Sequence, residues 1–399
     1  MISHSQLSLA FVLPACLLAS CANAENGDSA ATMVAADSAT SAAKSEAQAA
    51  KAPFTVSEMG TFDSPWAIEF APGTQMLFIT EKGGTMKVLD TASGRTASVS
   101  GVPQVLAAGQ GGLGDIAFLP AEADDAIEGR TIYLSWAEAG EGDTAGAAVG
   151  RGMITCETGG ECALEGLEVI WRQAPKVSGR GHYSHRLAIA PDGEHLFIAS
   201  GDRQKMSPAQ DPSNTLGTIV RLNLDGTPAS GNPLASEGGD PAIWSWGHRN
   251  ILGLDFDAQG RLWETEHGPA GGDELNLVTR AANYGWPERS NGEHYNGDPI
   301  RDHSADDGFT SPATWWNPVI APGDMIIYTG EMFAPWQGDA LIPGLKIEAL
   351  VRVDIEGTSA REVARYDFGK RLRSIEQGPD GAIWLAEDGR DGRILKLTM

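Results

Sequence analysis

At 399 residues, with a formal net charge of −24 and a sequence pI near 4.6, the chain has room for one large all-β unit or two ordinary domains. So acidic a balance argues against a nucleic-acid partner, because phosphate binding needs a basic face. A hydrophobic fraction of 42% is enough for a core and excludes global disorder.

The chain opens with an apolar run, residues 7–18, too short to cross a bilayer as a stable helix. It ends in Leu18-Ala19-Ser20-Cys21, which resembles a lipobox, although its flank carries His4 and no Lys or Arg. Ala22-Asn23-Ala24 offers a rival A-x-A cleavage site before Glu25. Residues 1–21 therefore read as an export signal, and lipidation at Cys21 would anchor a periplasmic protein to the envelope. Residues 22–52 are rich in Ala and Ser and carry almost nothing large and apolar. Burial could not offset the ordering entropy of such a stretch, so a disordered linker is expected there. The folded domain is expected over residues 53–399.

Cys16 and Cys21 belong to the export signal. Cys156 and Cys162 bracket Glu-Thr-Gly-Gly-Glu between two strand-like runs, a spacing that reads as a small hairpin disulfide in an oxidising compartment. Two independent buried thiols fit less well, since both flank a polar, Gly-rich tip. No further ligands stand nearby for zinc.

Past residue 53 the pattern is one of short β-rich runs separated by Gly, Pro, Asn and Asp turns, with no long helical period. One unit recurs: a strand led by a small residue, a Pro/Asp/Gly turn, then a second apolar strand. It appears at residues 65–70 into 77–79, 114–118 into 132–134, and 186–189 into 196–198. It returns at 253–256 into 261–263, 324–328 into 340–342, and 374–377 into 383–385. Six such repeats, with room for two more strands between them, predict an all-β, six-bladed β-propeller with four-stranded antiparallel blades. A β-sandwich pair would not reuse one turn pattern six times. The stretch 285–320, rich in Asn, Asp, Gly and Pro, is expected to be a long loop.

Unusual polar residues gather just before or after these repeats. Gly109-Gln110-Gly111-Gly112-Leu113-Gly114-Asp115 leads into the second; taken alone, its glycines imply only backbone freedom. Gly181-His182-Tyr183-Ser184-His185-Arg186 leads into the third, which ends at Gly201-Asp202-Arg203. A His at one end of a hairpin and an Asp at the other can form a base with its orienting carboxylate; the plainer reading is that any one His is a satisfied loop residue. Trp244-Ser245-Trp246-Gly247-His248-Arg249-Asn250 precedes the fourth repeat, followed by Glu266-His267-Gly268-Pro269-Ala270-Gly271-Gly272-Asp273-Glu274 and Asn283-Tyr284-Gly285-Trp286-Pro287. Lys346, Arg371 and Arg373 stand beside core strands in a chain with only 29 Lys and Arg, which points to an anionic ligand. The plainer reading is that they pair with surplus carboxylates.

In order and in combination, these clusters resemble the pyrroloquinoline quinone (PQQ)-dependent soluble glucose, aldose-sugar and sorbosone dehydrogenases. The resemblance covers nearly all of residues 54–399; GQGGL, WSWGHRN, EHGPAGGDE and NYGWP are specific together and not singly. It implies PQQ and Ca²⁺ as cofactors, a sugar substrate oxidised at the anomeric carbon to a lactone, and an electron acceptor the sequence does not identify. It implies that His182 is the catalytic base, that Asp202 orients it, and that Arg249 and Asn250 lie beside the quinone, with Arg249 stabilising the reduced oxygen. Gln110, Lys346, Arg371 and Arg373 match contacts to the cofactor's carbonyls and carboxylates. The carbonyls of Gly268 and Pro269 match ligands of the calcium that also holds PQQ, and Asp273 adjoins that site. Glu274 and the Tyr284 carbonyl match a second, structural calcium site.

Two features depart from the family pattern. His185 replaces a small residue, and could narrow the pocket or compete in proton transfer. Trp315-Trp316-Asn317-Pro318 resembles the family's substrate-side aromatic loop in an ambiguous register. Two other readings stay open: a calcium-dependent lactonase-type propeller hydrolase, which would not need three cations around an anion, and a non-catalytic binding propeller. No Rossmann fingerprint opens a βα unit, which disfavours a nicotinamide enzyme. The chain could be a monomer or a homodimer, and membrane contact is expected only through a lipid anchor.

Overall fold

The computed structural model describes residues 51–157 and 161–399. The export signal with Cys16 and Cys21, and all but the last two residues of the expected linker, lie outside the described residues. Among the described residues there is no α-helix, only three short 3-10 turns, at Pro120–Glu122, Ser207–Gln210 and Ala334–Trp336. Everything else regular is β-strand.

The strands pair as antiparallel meanders of four. The first runs Pro65–Phe70, Met76–Glu81, Thr85–Asp90 and Arg95–Ser100; the second Leu113–Phe118, Arg130–Ala139, Thr144–Cys156 and Cys162–Arg172. A short parallel pairing, Val99 with Cys162 and Ser100 with Ala163, joins these two edge to edge into one larger sheet. The third meander holds Ser184–Ile189, His195–Ser200, Thr218–Asn223 and Ile243–Trp246. The fourth holds Ile251–Phe256, Leu262–Glu266, Asp273–Val278 and Thr314–Trp316, and the fifth Ile326–Ile327, Ala340–Pro343, Ala349–Glu356 and Ser359–Asp367. The last sheet is completed from both ends of the domain: Thr55–Phe62 pairs with Gly392–Thr398, outside Ile383–Glu387 and Leu372–Gln377. Every repeat read from the sequence is the first hairpin of one of these meanders.

Alternation shows how these strands form. In Thr85–Asp90, Met86 and Val88 turn inward while Thr85 and Lys87 reach solvent. First strands behave differently: all six residues of Leu113–Phe118 are buried. Each first strand approaches the first strand of the next meander, and Leu372–Gln377 comes back against Pro65–Phe70. Apolar clusters fill the space between successive sheets, such as Phe78, Val88, Phe118 and Leu134 between the first and second.

Splayed first strands cannot ladder with one another, so their facing backbone groups need other partners. A side chain supplies one at every junction. Thr80 Oγ1 donates to the Gly114 carbonyl at 2.7 Å, and Asp115 Oδ2 accepts the Leu187 N–H at 2.8 Å. Ser184 Oγ accepts the Ile251 N–H at 2.9 Å and Asp255 Oδ2 the Ile327 N–H at 2.6 Å. Asp324 Oδ2 accepts the Ile375 N–H at 3.2 Å, and Ser374 Oγ the Ile68 N–H at 3.3 Å. Buried carboxylates along the first strands are therefore structural seams.

Cys156 and Cys162 face each other across their hairpin and form a disulfide. Within the long stretch 285–320 only Gly292–Glu293 and Thr314–Trp316 are strands, and the former pairs with Ala270–Gly271.

Candidate active site

The functional side chains sit where first strands begin and second strands end. His182 precedes Ser184–Ile189, and Asp202 follows His195–Ser200; the pairing of Ser184 with Ser200 brings the two ends together. His182 Nδ1 lies 2.7 Å from Asp202 Oδ1. The Gln110 carboxamide oxygen accepts the His182 N–H at 2.6 Å, and His182 itself has φ 49°, an uncommon conformation for a side chain with a Cβ.

Asp202 is fully buried and well partnered. Its Oδ2 accepts from Trp286 Nε1 at 2.8 Å, and its Oδ1 from the Gln204 N–H at 2.8 Å. Burial alone would raise its pKa, but the hydrogen bond from His182, with those from Trp286 and Gln204, outweighs that and holds it down. For His182, burial lowers the pKa, Asp202 pulls it back up, and the Arg249 charge lowers it again; the net shift is downward. The imidazole is thus neutral near pH 7. An ionised carboxylate can only accept a hydrogen bond, so the proton sits on Nδ1 and the Nε2 lone pair is free to act as a base.

Arg249 and Asn250 precede Ile251–Phe256. Arg249 donates from Nη1 to the His267 carbonyl at 2.9 Å and from Nη2 to Tyr295 Oη at 3.2 Å, and lies over Trp286 at 5.1 Å, while its Nε has no partner. Glu266 accepts both the Arg249 and Asn250 backbone N–H groups, which locks this turn.

Beside the dyad is a cavity of about 280 Å³ whose lining includes Gln110, Asn250, Arg371 and Arg373, together with Trp66, Lys82, His185, His267 and Asp388. Arg371 Nε and Arg373 Nε share one carboxylate, Asp388, at 2.8 and 3.1 Å. The Lys82 ammonium, which donates to the Gly109 carbonyl at 2.7 Å, has its pKa lowered by burial and then by Arg373. Three cations against one carboxylate leave the wall positive. The structure does not bring Lys346 here: it is exposed, and its neighbour Leu345 lines the cavity instead.

Lys82 and Asp388 were not legible as site residues, yet a positional signal exists. Lys82, Asp202, His267 and Asp388 each follow a second strand within one or two residues, Lys82 after Met76–Glu81 and Asp388 after Ile383–Glu387. The rule that exposes Asp202 would have found all four.

A second, far smaller void, about 10 Å³, is lined by Gly268, Glu274 and Tyr284 among others, including Glu266. It is sized for one atom. Pro269 is buried beside it in sequence, and Asp273 braces the turn, accepting the Gly268 N–H at 2.9 Å and the Ala321 N–H at 2.6 Å. Burial pushes the Asp273 pKa up to about 6. Glu274 belongs to a buried acidic group with Glu264 and Glu266. Burial, then the Glu266 charge, raises Glu264 to about 7 and Glu274 well above the usual carboxylate range. His248 lies 3.5 Å from Glu264 and 3.3 Å from Glu266; burial would lower its pKa, but these two carboxylates lift it to about 9. Glu264 Oε2 and Asn276 Oδ1 are buried with no partner. Unsatisfied oxygens and surplus negative charge are the donor set a hard cation takes.

The sequence model of the Glucose / Sorbosone dehydrogenase family matches residues 62–396. The chain belongs to that family. It is 35% identical over 342 residues to the aldose sugar dehydrogenase YliI of Escherichia coli, covering 84% of this chain and 90% of the relative. A crystal structure of a glucose dehydrogenase superposes with a TM-score of 0.79 at 38% identity, over 86% of this chain and 99% of that one. The PQQ-bound aldose sugar dehydrogenase of Streptomyces coelicolor matches with a TM-score of 0.67 at 26% identity, covering 87% and 99% of the two chains. The matched residues 62–396 include the site residues described above, from Trp66 to Asp388.

Proposed function

We propose that the chain is a PQQ- and calcium-dependent dehydrogenase that oxidises aldose sugars at the anomeric carbon to lactones. The observation that carries this is the neutral His182, fixed by Asp202, beside a cavity walled by Lys82, Arg371 and Arg373. A tricarboxylate quinone suits that wall: the guanidiniums bind carboxylates in fork geometry, and Lys82 supplies a point charge. Family membership and the PQQ held by the Streptomyces relative support the same reading.

Bound PQQ would supply the two-electron hydride acceptor, with calcium as a Lewis acid on it. The residues of this chain do the rest. His182 Nε2 takes the proton of the sugar's anomeric hydroxyl as hydride leaves that carbon, and Asp202 stabilises the imidazolium that forms. Arg249, with an unpartnered Nε, is the residue that would stabilise negative charge on the reduced cofactor. Gln110 and Asn250 orient the cofactor. Gly268, Pro269, Glu274 and Tyr284 are the residues suited to hold calcium. Turnover would require an external two-electron acceptor to re-oxidise the cofactor.

The same reading extends to architecture and address. The closed succession of first strands, with six four-stranded antiparallel meanders, supports a six-bladed β-propeller over residues 53–399. Export to the periplasm through residues 1–21, a linker over 22–52 and lipid attachment at Cys21 follow from the sequence; the Cys156–Cys162 disulfide suits that compartment.

Titrating apo-protein with PQQ and calcium, read by a dye-coupled assay over a panel of aldoses, tests the proposal. Activity that needs both ligands and vanishes in His182→Ala supports it. Absence of PQQ binding at micromolar concentration would remove it and favour a lactonase or a binding scaffold.

A further inference from the structure

His185 follows the dyad histidine by three residues and takes no part in the dyad. Its side chain is only 1% exposed, stacks on Trp66 with ring centroids 4.8 Å apart and planes 13° apart, and lines the cavity that holds Lys82, Arg371 and Arg373. The ring fits only because residue 114 is glycine: a Cβ there would stand 2.1 Å from both Cε1 and Nδ1. His185 and Gly114 are thus a matched pair.

The Ser135 hydroxyl fixes which ring nitrogen carries the proton. Ser135 Oγ lies 2.7 Å from the His185 carbonyl oxygen, which can only accept, so the serine proton is committed to that bond. Nδ1, 2.9 Å from the same Oγ, must then bear its own hydrogen and donate it. The Asp115 N–H fills the last lone pair of Oγ at 2.8 Å, and the hydroxyl is saturated. Nε2 is left as a bare acceptor, and no hydrogen-bond partner for it exists among the described residues. Burial, and then the Arg186 charge, drives the ring's pKa down to about 3, so it stays neutral.

We propose that His185 Nε2 is a cofactor-recognition atom that accepts the pyrrole N–H of PQQ, an inference that rests on the functional reading above. Oxidised, fully ionised PQQ offers acceptors everywhere except at that N–H. An acceptor-only nitrogen in its pocket has one complementary group on the ligand. The same pyrrole ring bears a carboxylate, the group that the nearby cations are suited to take. This gives the pocket a means to orient the quinone that charge alone does not supply, since all three carboxylates attract the cations alike.

The test is a titration of apo-protein with PQQ and calcium, followed by quenching of tryptophan fluorescence, with the midpoint potential of the bound quinone as a second readout. His185→Phe keeps an aromatic ring against Trp66 but removes the lone pair, and should weaken PQQ binding about tenfold, the loss expected for one buried hydrogen bond. His185→Gln restores an acceptor and should recover most of that loss; His185→Leu takes the place of phenylalanine if the larger ring unfolds the protein. Wild-type affinity in folded His185→Phe or His185→Leu overturns the proposal, as does a glutamine variant no better than either. Failure of the wild-type protein to bind PQQ would instead overturn the functional reading on which this one stands.

Discussion

Asp202 Oδ1 stands 2.7 Å from His182 Nδ1, and the same carboxylate is clamped on its other oxygen by the Trp286 indole N–H at 2.8 Å. The carboxylate therefore has one direction left in which to hold the imidazole. Asp202→Asn presents an amide that can offer N–H where the ring needs an acceptor, so the ring is free to adopt the other tautomer and lose its base. We expect kcat to fall about 10³- to 10⁴-fold, by analogy with other His–Asp pairs. The thermal unfolding midpoint, read on the same sample, should move by only a few degrees.

The pH profile follows from the same environment. A base must be neutral to act, so kcat/KM should be flat near pH 7 and fall as pH drops through the His182 pKa. Burial and Arg249 place that pKa below 6.5, the ordinary value for histidine. Arg249→Met removes one lowering influence and should move the acid limb of the profile upward, whatever it does to the absolute rate. A limb that stays put would mean that Arg249 does not act on His182 through its charge.

The positive wall predicts salt-dependent cofactor binding. Lys82→Met should weaken PQQ affinity about tenfold, a loss of roughly 1.4 kcal/mol, and flatten its dependence on ionic strength. Lys346→Met, at an exposed position away from the cavity lining, should leave both unchanged. Isothermal titration at two salt concentrations separates the two lysines.

Much of this was legible in the sequence, and unevenly. Each of the six repeats begins a meander, because alternation and turn chemistry are local properties that survive folding. The His182–Asp202 pairing was legible too, since a hairpin joins its own ends. Lys346 shows where such reasoning stops. It lies three residues beyond Ala340–Pro343, close to where useful side chains occur in other sheets, yet the turn directs Leu345 to the cavity and Lys346 to solvent. Linear position cannot resolve that choice. Lys82 was missed because its surroundings carry no unusual motif, and its role comes from Arg371, Arg373 and Gly109, remote in sequence. The sequence gives no reason for the seam carboxylates Asp255 and Asp324, and only the facing N–H groups explain them.

Calcium removal should destabilise the protein as well as inactivate it. Glu264, Glu266 and Glu274 crowd one buried region with a single imidazolium, His248, between the first two. A bound divalent cation would offset that repulsion, and binding to the folded state alone raises stability by mass action. Adding a chelator should lower the thermal midpoint by several degrees, and added calcium should restore it. In Glu274→Gln, with one fewer charge and a weaker ligand, the calcium-dependent part of that shift should shrink by more than half. An equal shift in variant and wild type would place the stabilising ion elsewhere.

The seams between first strands make a separate prediction about stability. Asp115 serves two partners at once: Oδ2 accepts the Leu187 N–H at 2.8 Å, and Oδ1 accepts from Arg186 Nη1 at 2.9 Å. Arg186 in turn reaches the Leu252 and Gly323 carbonyls and lies over Trp66 at 4.2 Å, so one guanidinium ties several sheets together. Asp115→Ala leaves a buried amide and part of a buried charge without partners, and should cost about 3–5 kcal/mol in urea unfolding. Asp115→Asn keeps an acceptor for Leu187 and loses only the charge toward Arg186, for which about 1–3 kcal/mol is expected. The ordering matters more than either value. Equal losses in the two variants would mean that the ion pair, and not the seam hydrogen bond, holds the second and third sheets together.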